Sequence, residues 1–442
     1  MSVSSSTIRG DRTRQALFLN YFLSQRLEFD SALDAGGCDS LQALRDRAFH
    51  QLVERTLPTN RDENWRFTDI SSLRDLEYVP DQQYSVTTEE LASLQLPEAA
   101  HTIVFTNGKQ SVTTGESLPT GVVVGNLATV LSMRKADWLD RYLAKQPGSD
   151  EEFTSLNTAG FNDVAIVWLT KNTILDQPIH VLFVSQVGDS PLLTQPRCLV
   201  IAERGSSMTL IEEHTAGGTG SYFTNPVTEI WVEENAQVHH VRLQQDGVNA
   251  IHIGKTAVSQ ARDARYTCDA IDQGAALSRH NLEIHQTGTQ TETTLNGLTM
   301  IKGEQVADTH SAIAFTHPHG SSRQLQKCIV DDNAHAIFNG KVFVPQAAQL
   351  TDAGQLNRTL LLSPKARVDT KPQLEIVADN VKCTHGATVG QLDADELFYL
   401  QSRGIDPAIA RNLLIYAFAY EILDQVPVES LRQRLLKQLA IS

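Results

Sequence analysis

Hydrophobic and polar positions along this chain change their period twice. Near the start, Leu41, Leu44, Ala48 and Leu52 follow one another at steps of 3, 4 and 4, the spacing that lines up one helix face. Ser40 stands where an N-cap is expected, and Leu57 followed by Pro58 ends the helix, because the residue before a proline is pushed out of the α region. An earlier segment, capped by Asp11 and burying Leu17, Tyr21 and Phe22, reads as helix in the same way. Residues 63–69 (ENWRFTD) then form an aromatic and basic cluster on a loop. Trp65, Arg66 and Phe67 are expected to pin the helical arm onto a core rather than to stack on a ligand. Past a linker with Pro80 and Pro97, HTIVFTNG is the first clear strand and turn.

From about residue 160 to 390 helical periodicity gives way to β-branched residues in alternation. Turn residues recur at Gly205, Asn235, Asp263, Gly288, Asn333 and Lys365, separated by 30, 28, 25, 45 and 32 residues. One strand, a tight turn and another strand, restarting at that interval, suit stacked coils that each touch only their neighbours. A large sandwich or barrel is the all-β rival. After Gly390 the helical period returns. Asp393 or Asp395 starts a short helix that Gly404 ends, and Asp406 with Pro407 opens a segment through Leu423. That segment is apolar on more than one stripe and is expected to be buried on most sides. A last amphipathic helix runs from 429 to 439. The domains expected are a helical region 1–98, a β core 99–390 and a helical tail 391–442.

With 442 residues and a net charge of −15, the chain lacks the concentrated Lys and Arg excess that phosphate backbones require, so nucleic acid is not an expected partner. Five scattered cysteines do not make a secreted disulfide framework. The densest apolar run, LLIYAFAYEI, is too short to span a bilayer, and MSVSSSTIRGDRTRQ carries no apolar signal core. A cytoplasmic protein without a membrane partner is expected.

Neither a phosphate-binding G-x-x-x-x-G-K-[ST] loop nor a G-x-S-x-G elbow is present, so this chain is expected to bind no nucleotide itself. TAGGTGSYF around Gly217 reads as a coil turn. Asp308 with His310, and His317 with His319, have ligand-like spacing but read as coil-edge residues, and His239 and His240 point to opposite strand faces. Asp331 and Asp332 raise the alternative of a carbohydrate-active lyase or hydrolase, although adjacent aspartates before a turn are common for local reasons. The sharpest chemical signal is KCTHG. Cys383 and His385 on one strand would face the same side and could meet one metal. Two donors are half of a usual zinc or iron–sulfur set. Either a partner chain completes the site or the pair is structural.

PQLEIVADNVKCTHGATVGQLDADELFYLQSRGI, followed by DPAIARNLLIYAFAYEIL, resembles the C-terminal signature of the SufD family, and ENWRFTDI is similar to that family's N-terminal motif. The resemblance implies a right-handed parallel β-helix between helical regions, acting as a non-catalytic scaffold in iron–sulfur cluster assembly. It implies pairing with a SufB paralogue, or with a second copy, and docking of the SufC ABC-type ATPase on the C-terminal helices. The family's junction histidine falls on His385 and its cysteine on Cys383, which would share iron or a nascent cluster with the partner chain.

Overall fold

A computed structural model describes residues 39–74, 78, 86–133 and 136–441; the segment of Asp11, Leu17, Tyr21 and Phe22, and also Cys38, lie outside the described residues. Its frame is two facing sheets of ten and eleven strands. From Ile179–Gln186 onward the chain passes from one sheet to the other, so that each circuit adds a strand to both. The result is a parallel β-solenoid of about 8 turns, flanked by helices.

Stacked inward side chains explain why this sequence coils. Val167, Val200, Ile230, Val258, Ile284, Ile313, Val342 and Leu374 occupy successive rungs of one register-matched column in the larger sheet. All but Leu374 are buried. Burying each such side chain contributes roughly 1.5–3 kcal/mol, and a β-branched residue packs well on the pleated surface of its neighbour. Gly205, Asn235 and Asp263 take the left-handed backbone that the turns require, with φ of 70°, 56° and 58°. At two later turns that conformation falls on Gln290 and Asp332 rather than on Gly288 and Asn333. Strand register, not residue preference, decides which turn position bends there.

Three short helices, Leu127–Ser132, Ala136–Tyr142 and Glu152–Gly160, interrupt the strands of the early part of the β region. Leu127, Val130, Trp138 and Tyr142 pack with Phe161 and Trp168, together with Leu41 of the helix Asp39–Glu54. Leu52 packs with Trp65 and Phe153 in an adjoining cluster.

At the other end, Asp393 caps Ala394–Ser402 by accepting from Asp395 N at 2.7 Å, and Gly404 (φ 83°) ends the turn. Asp406 accepts from Ala408 N at 2.8 Å and opens Pro407–Leu423. This helix and Glu429–Ile441 lie on the outer face of the ten-stranded sheet, with Ile422, Leu423, Leu431 and Leu435 against Leu243, Ile271, Leu298 and Ile329. Here the structure corrects an expectation. Only Ala410, Ala419, Ile422 and Leu423 of Pro407–Leu423 are buried, and Ile409, Leu413, Tyr416 and Tyr420 are exposed. One sheet face covers one stripe of a helix, so the rest of its apolar surface faces outward in this chain. None of the described helices is long and apolar enough to cross a membrane.

Candidate metal-handling edge

Among the described residues the solenoid is open at its last coil. Lys382–Gly390 ends the ten-stranded sheet and pairs with Asp352–Leu361; Arg367–Ile376 ends the other sheet and pairs with His335–Val344. Both strands therefore present a row of free backbone donors and acceptors, the usual template for another strand. Leu350, Ile376, Val377 and Val389 add exposed apolar surface at this end.

Cys383 and His385 lie on the first of these edges, separated by one residue and hence on one face. That face is the inner one. Cys383 is the last rung of a column through Tyr266, Thr293, Ser322 and Ala353, and His385 ends a column through His240, Cys268, Leu295, Gln324 and Gln355. The Cys383 side chain packs, half-buried, against the solenoid core, whereas His385 is exposed. Burial pushes the Cys383 thiol up from its ordinary value, the Asp352 carboxylate pushes it the same way, and a backbone contact with Ala353 offsets part of this. Cys383 is thus a thiol until a cation draws off its proton. Among the described residues no group of three or more His, Cys, Asp or Glu side chains is arranged to hold a metal ion.

His317 and His319 are exposed at a turn between coils, and most of the remaining candidates are tied up locally. Trp65 is buried against Phe153, with ring centroids 5.3 Å apart, and Arg279 lies 3.9 Å over its ring while donating to Asn64 O at 2.8 Å. Thr68 bonds Asp308 across the same seam, and Glu63 meets Lys371 at 2.6 Å. Glu63, Asn64, Trp65 and Thr68 therefore staple the motif to the outside of the larger sheet, whereas Arg66 and Phe67, expected to pin it as well, are exposed and stack only on each other. Asp308 also pairs with Arg279 and, at 3.0 Å, with His310. Asp331 pairs with Arg411 at 3.1 Å, and Asp332 accepts from Gly303 N at 3.0 Å, so these carboxylates do not converge. Gly218 makes the turn after Gly217 with φ 89°.

Similarity to known proteins gives the family. The description SUF system FeS cluster assembly, SufBD core domain, matches residues 183–418, and the SufBD protein N-terminal region matches residues 18–181. The chain belongs to the SufBD family. It is 46% identical over 418 residues to an iron–sulfur cluster assembly SufBD family protein of Synechocystis sp., covering 92% of each chain. It is 35% identical to the chloroplastic protein ABCI7 of Arabidopsis thaliana, over 95% of this chain and 90% of that one. Identity to the iron–sulfur cluster assembly protein SufD of Escherichia coli is 29%, over 88% of this chain and 90% of the relative.

This SufBD chain holds a second polar feature that strand alternation concealed. Inside the middle coils, Glu212 accepts from His214 Nε2 at 2.7 Å and from Thr228 Oγ1 at 2.8 Å, with His240 Nε2 3.3 Å away. Arg242 donates to Asp272 at 2.7 Å and to His252 Nε2 at 2.8 Å; His252 Nδ1 in turn donates to Asp246 at 2.8 Å. All these groups are buried. Burial opposes ionisation of Glu212, but the hydrogen bond from His214 and the nearby His240 ring outweigh it and hold its carboxyl well below the usual range. The sequence signal was the inward alternation Leu210, Glu212, His214, which turns polar while keeping strand period.

Beside the open edge, the tail helices and the strand end enclose a groove of about 820 Å³ lined by Thr388, Val389, Tyr399, Leu414 and Phe418. Phe398 and Tyr399 are exposed near it, and Tyr416 stacks on Tyr420 with centroids 5.6 Å apart.

Proposed function

We propose that this SufBD chain is a SufD-type scaffold subunit, without catalytic activity of its own, that contributes Cys383 and His385 to a cluster-assembly site completed by a SufB-type partner. The observation that carries the reading is the position of Cys383 and His385 on the inward face of an unpaired edge strand. A partner strand added there would satisfy the free backbone groups and cover Val389, Ile376 and Val377, while bringing further donors to a site that has two. A second copy of this chain could use the same edge. Iron is the cargo. Imidazole nitrogen and thiolate sulfur suit ferrous iron and growing iron–sulfur units. The half-buried Cys383 thiol favours its protonated form without bound iron, so iron binding there would release a proton from Sγ.

The exposed stripe of Ile409, Leu413, Tyr416 and Tyr420 is the surface offered to a SufC-type ATPase. Lys327 ties this helix to the sheet by donating to Phe418 O at 2.8 Å and pairing with Glu421; Arg434 of the last helix meets buried Glu213 at 2.6 Å. A movement of docked ATPase subunits would therefore pull on the sheet whose last strand carries His385.

The test is His385→Ala in a reconstituted complex under anaerobic conditions. Co-purification with both partners should persist while cluster formation, followed by visible absorption, falls at least about tenfold. Undiminished cluster formation by that variant would remove His385 from the site.

A further inference from the structure

The column that ends at His385 turns from apolar to amide just beneath it. Gln324 and Gln355 are buried on successive rungs, 7% and 4% exposed. Ser311 Oγ accepts from Gln324 Nε2 at 2.8 Å, and Gln324 Oε1 accepts from Gln355 Nε2 at 2.8 Å. The chain of bonds stops there. Among the described residues Gln355 Oε1 is buried without a hydrogen-bond partner, and a buried unpaired carbonyl needs an explanation.

Two further observations locate that oxygen. Gln355 is the register partner of His385. A side-chain amide carries its nitrogen and oxygen on opposite sides, so a nitrogen aimed at the preceding coil leaves the oxygen for the following one. The amide is also held from across the lumen. A Cβ added at Gly340 would lie 2.1 Å from Gln355 Nε2 and 2.8 Å from its Cδ. Glycine at 340 thus leaves the space that the amide fills. Gly297 likewise leaves room for an amide, here that of its register partner Gln326 on the neighbouring strand, whose Oε1 would lie 1.8 Å from a Cβ there.

We propose that Gln355 is a positioning residue: its Oε1, unpaired while the His385 ring points outward, accepts the N–H of one His385 ring nitrogen when that ring turns toward the lumen, fixing the tautomer and leaving the lone pair of the other nitrogen for iron. This rests on the reading of His385 as a donor to the assembling cluster. Carbonyl acceptors behind ligating imidazoles orient the ring in this way and raise its basicity. The ladder from Ser311 through Gln324 holds the acceptor in place, so the aim of an exposed side chain is set from within the solenoid.

The experiment reads the tautomer directly. Full-length protein labelled with ¹⁵N-histidine is studied by two-bond ring correlation at alkaline pH, and the His385 signals are identified by their loss in His385→Ala. Wild-type His385 should show one tautomer by about ten to one, the most that a single hydrogen bond supplies. Gln355→Met keeps the volume but removes the acceptor, and Gly340→Ala displaces the amide; both should bring the ratio near parity. Unchanged signals from His214, His240 and His252 in the same spectra report an intact solenoid. A mixed tautomer in the wild type, or a ratio unaltered in both variants, overturns the proposal. Normal cluster formation by His385→Ala would instead remove the premise and leave the tautomer result standing.

Discussion

His280 provides a quantitative test of the polar interior. It is 2% exposed, and Thr256 Oγ1 lies 3.0 Å from its Nε2. Burial holds its pKa well below the ordinary 6.5, and the cationic Arg242 and the neighbouring His252 and His240 push the same way, against a smaller opposite pull from Glu212. The folded protein therefore keeps His280 neutral where the unfolded chain protonates it. Stability from this group is complete above the unfolded pKa of 6.5 and is lost as pH falls below it. At about pH 5 the unfolded state lies about 1.5 units below its pKa, and about 1.4 kcal/mol per unit makes a loss of roughly 2 kcal/mol. Equilibrium urea unfolding at about pH 7.5 and about pH 5 measures this difference. In His280→Leu the acid loss should shrink by that amount, whatever offset the missing bond to Thr256 adds at both pH values. His252, also lowered chiefly by burial, should preserve part of the wild-type acid sensitivity in that variant. An identical pH dependence in the two proteins would show that His280 titrates normally, and the argument from burial would fall.

Two other outcomes test the docking elements. Trp65→Ala removes a buried ring from between Phe153 and Arg279 and should destabilise the fold by about 3–5 kcal/mol. Limited proteolysis should then cut between 55 and 75 while the β region survives, and wild-type resistance there would contradict the staple. Tyr416→Asp combined with Tyr420→Asp, at sites 37% and 39% exposed, should shift the melting temperature little but abolish capture of the ATPase partner in a pull-down. Undiminished capture would move the docking surface elsewhere.

Solenoid coiling was legible because its main determinant is local. Val200, Ile230, Val258 and Ile284 recur at the coil interval, and Gly205, Asn235 and Asp263 mark turns by their backbone freedom. Cys383 and His385 were legible as a pair because strand period alone puts them on one face. The interior network was not. Glu212 meets His240 and Thr228 only through coiling, and no spacing along the chain reports that closure. Nor could apolar composition tell which side of Pro407–Leu423 meets the sheet, since that depends on the shape of the face beneath it. The Gln355 amide was hidden for the same reason, because the glycine that makes room for it lies on the opposite sheet.

The staple at residues 63–69 also constrains the order of assembly. Thr68 bonds a residue 240 positions ahead, Asn64 one 215 ahead and Glu63 one 308 ahead. On a ribosome the motif emerges long before Arg279, Asp308 and Lys371 exist. Trp65 can pack on Leu52 and Phe153 early, but the ring face that Arg279 covers waits for the coil that carries residue 279. The first recognisable motif of this protein is among the last to find its place, and closing it down requires a β region that is already complete.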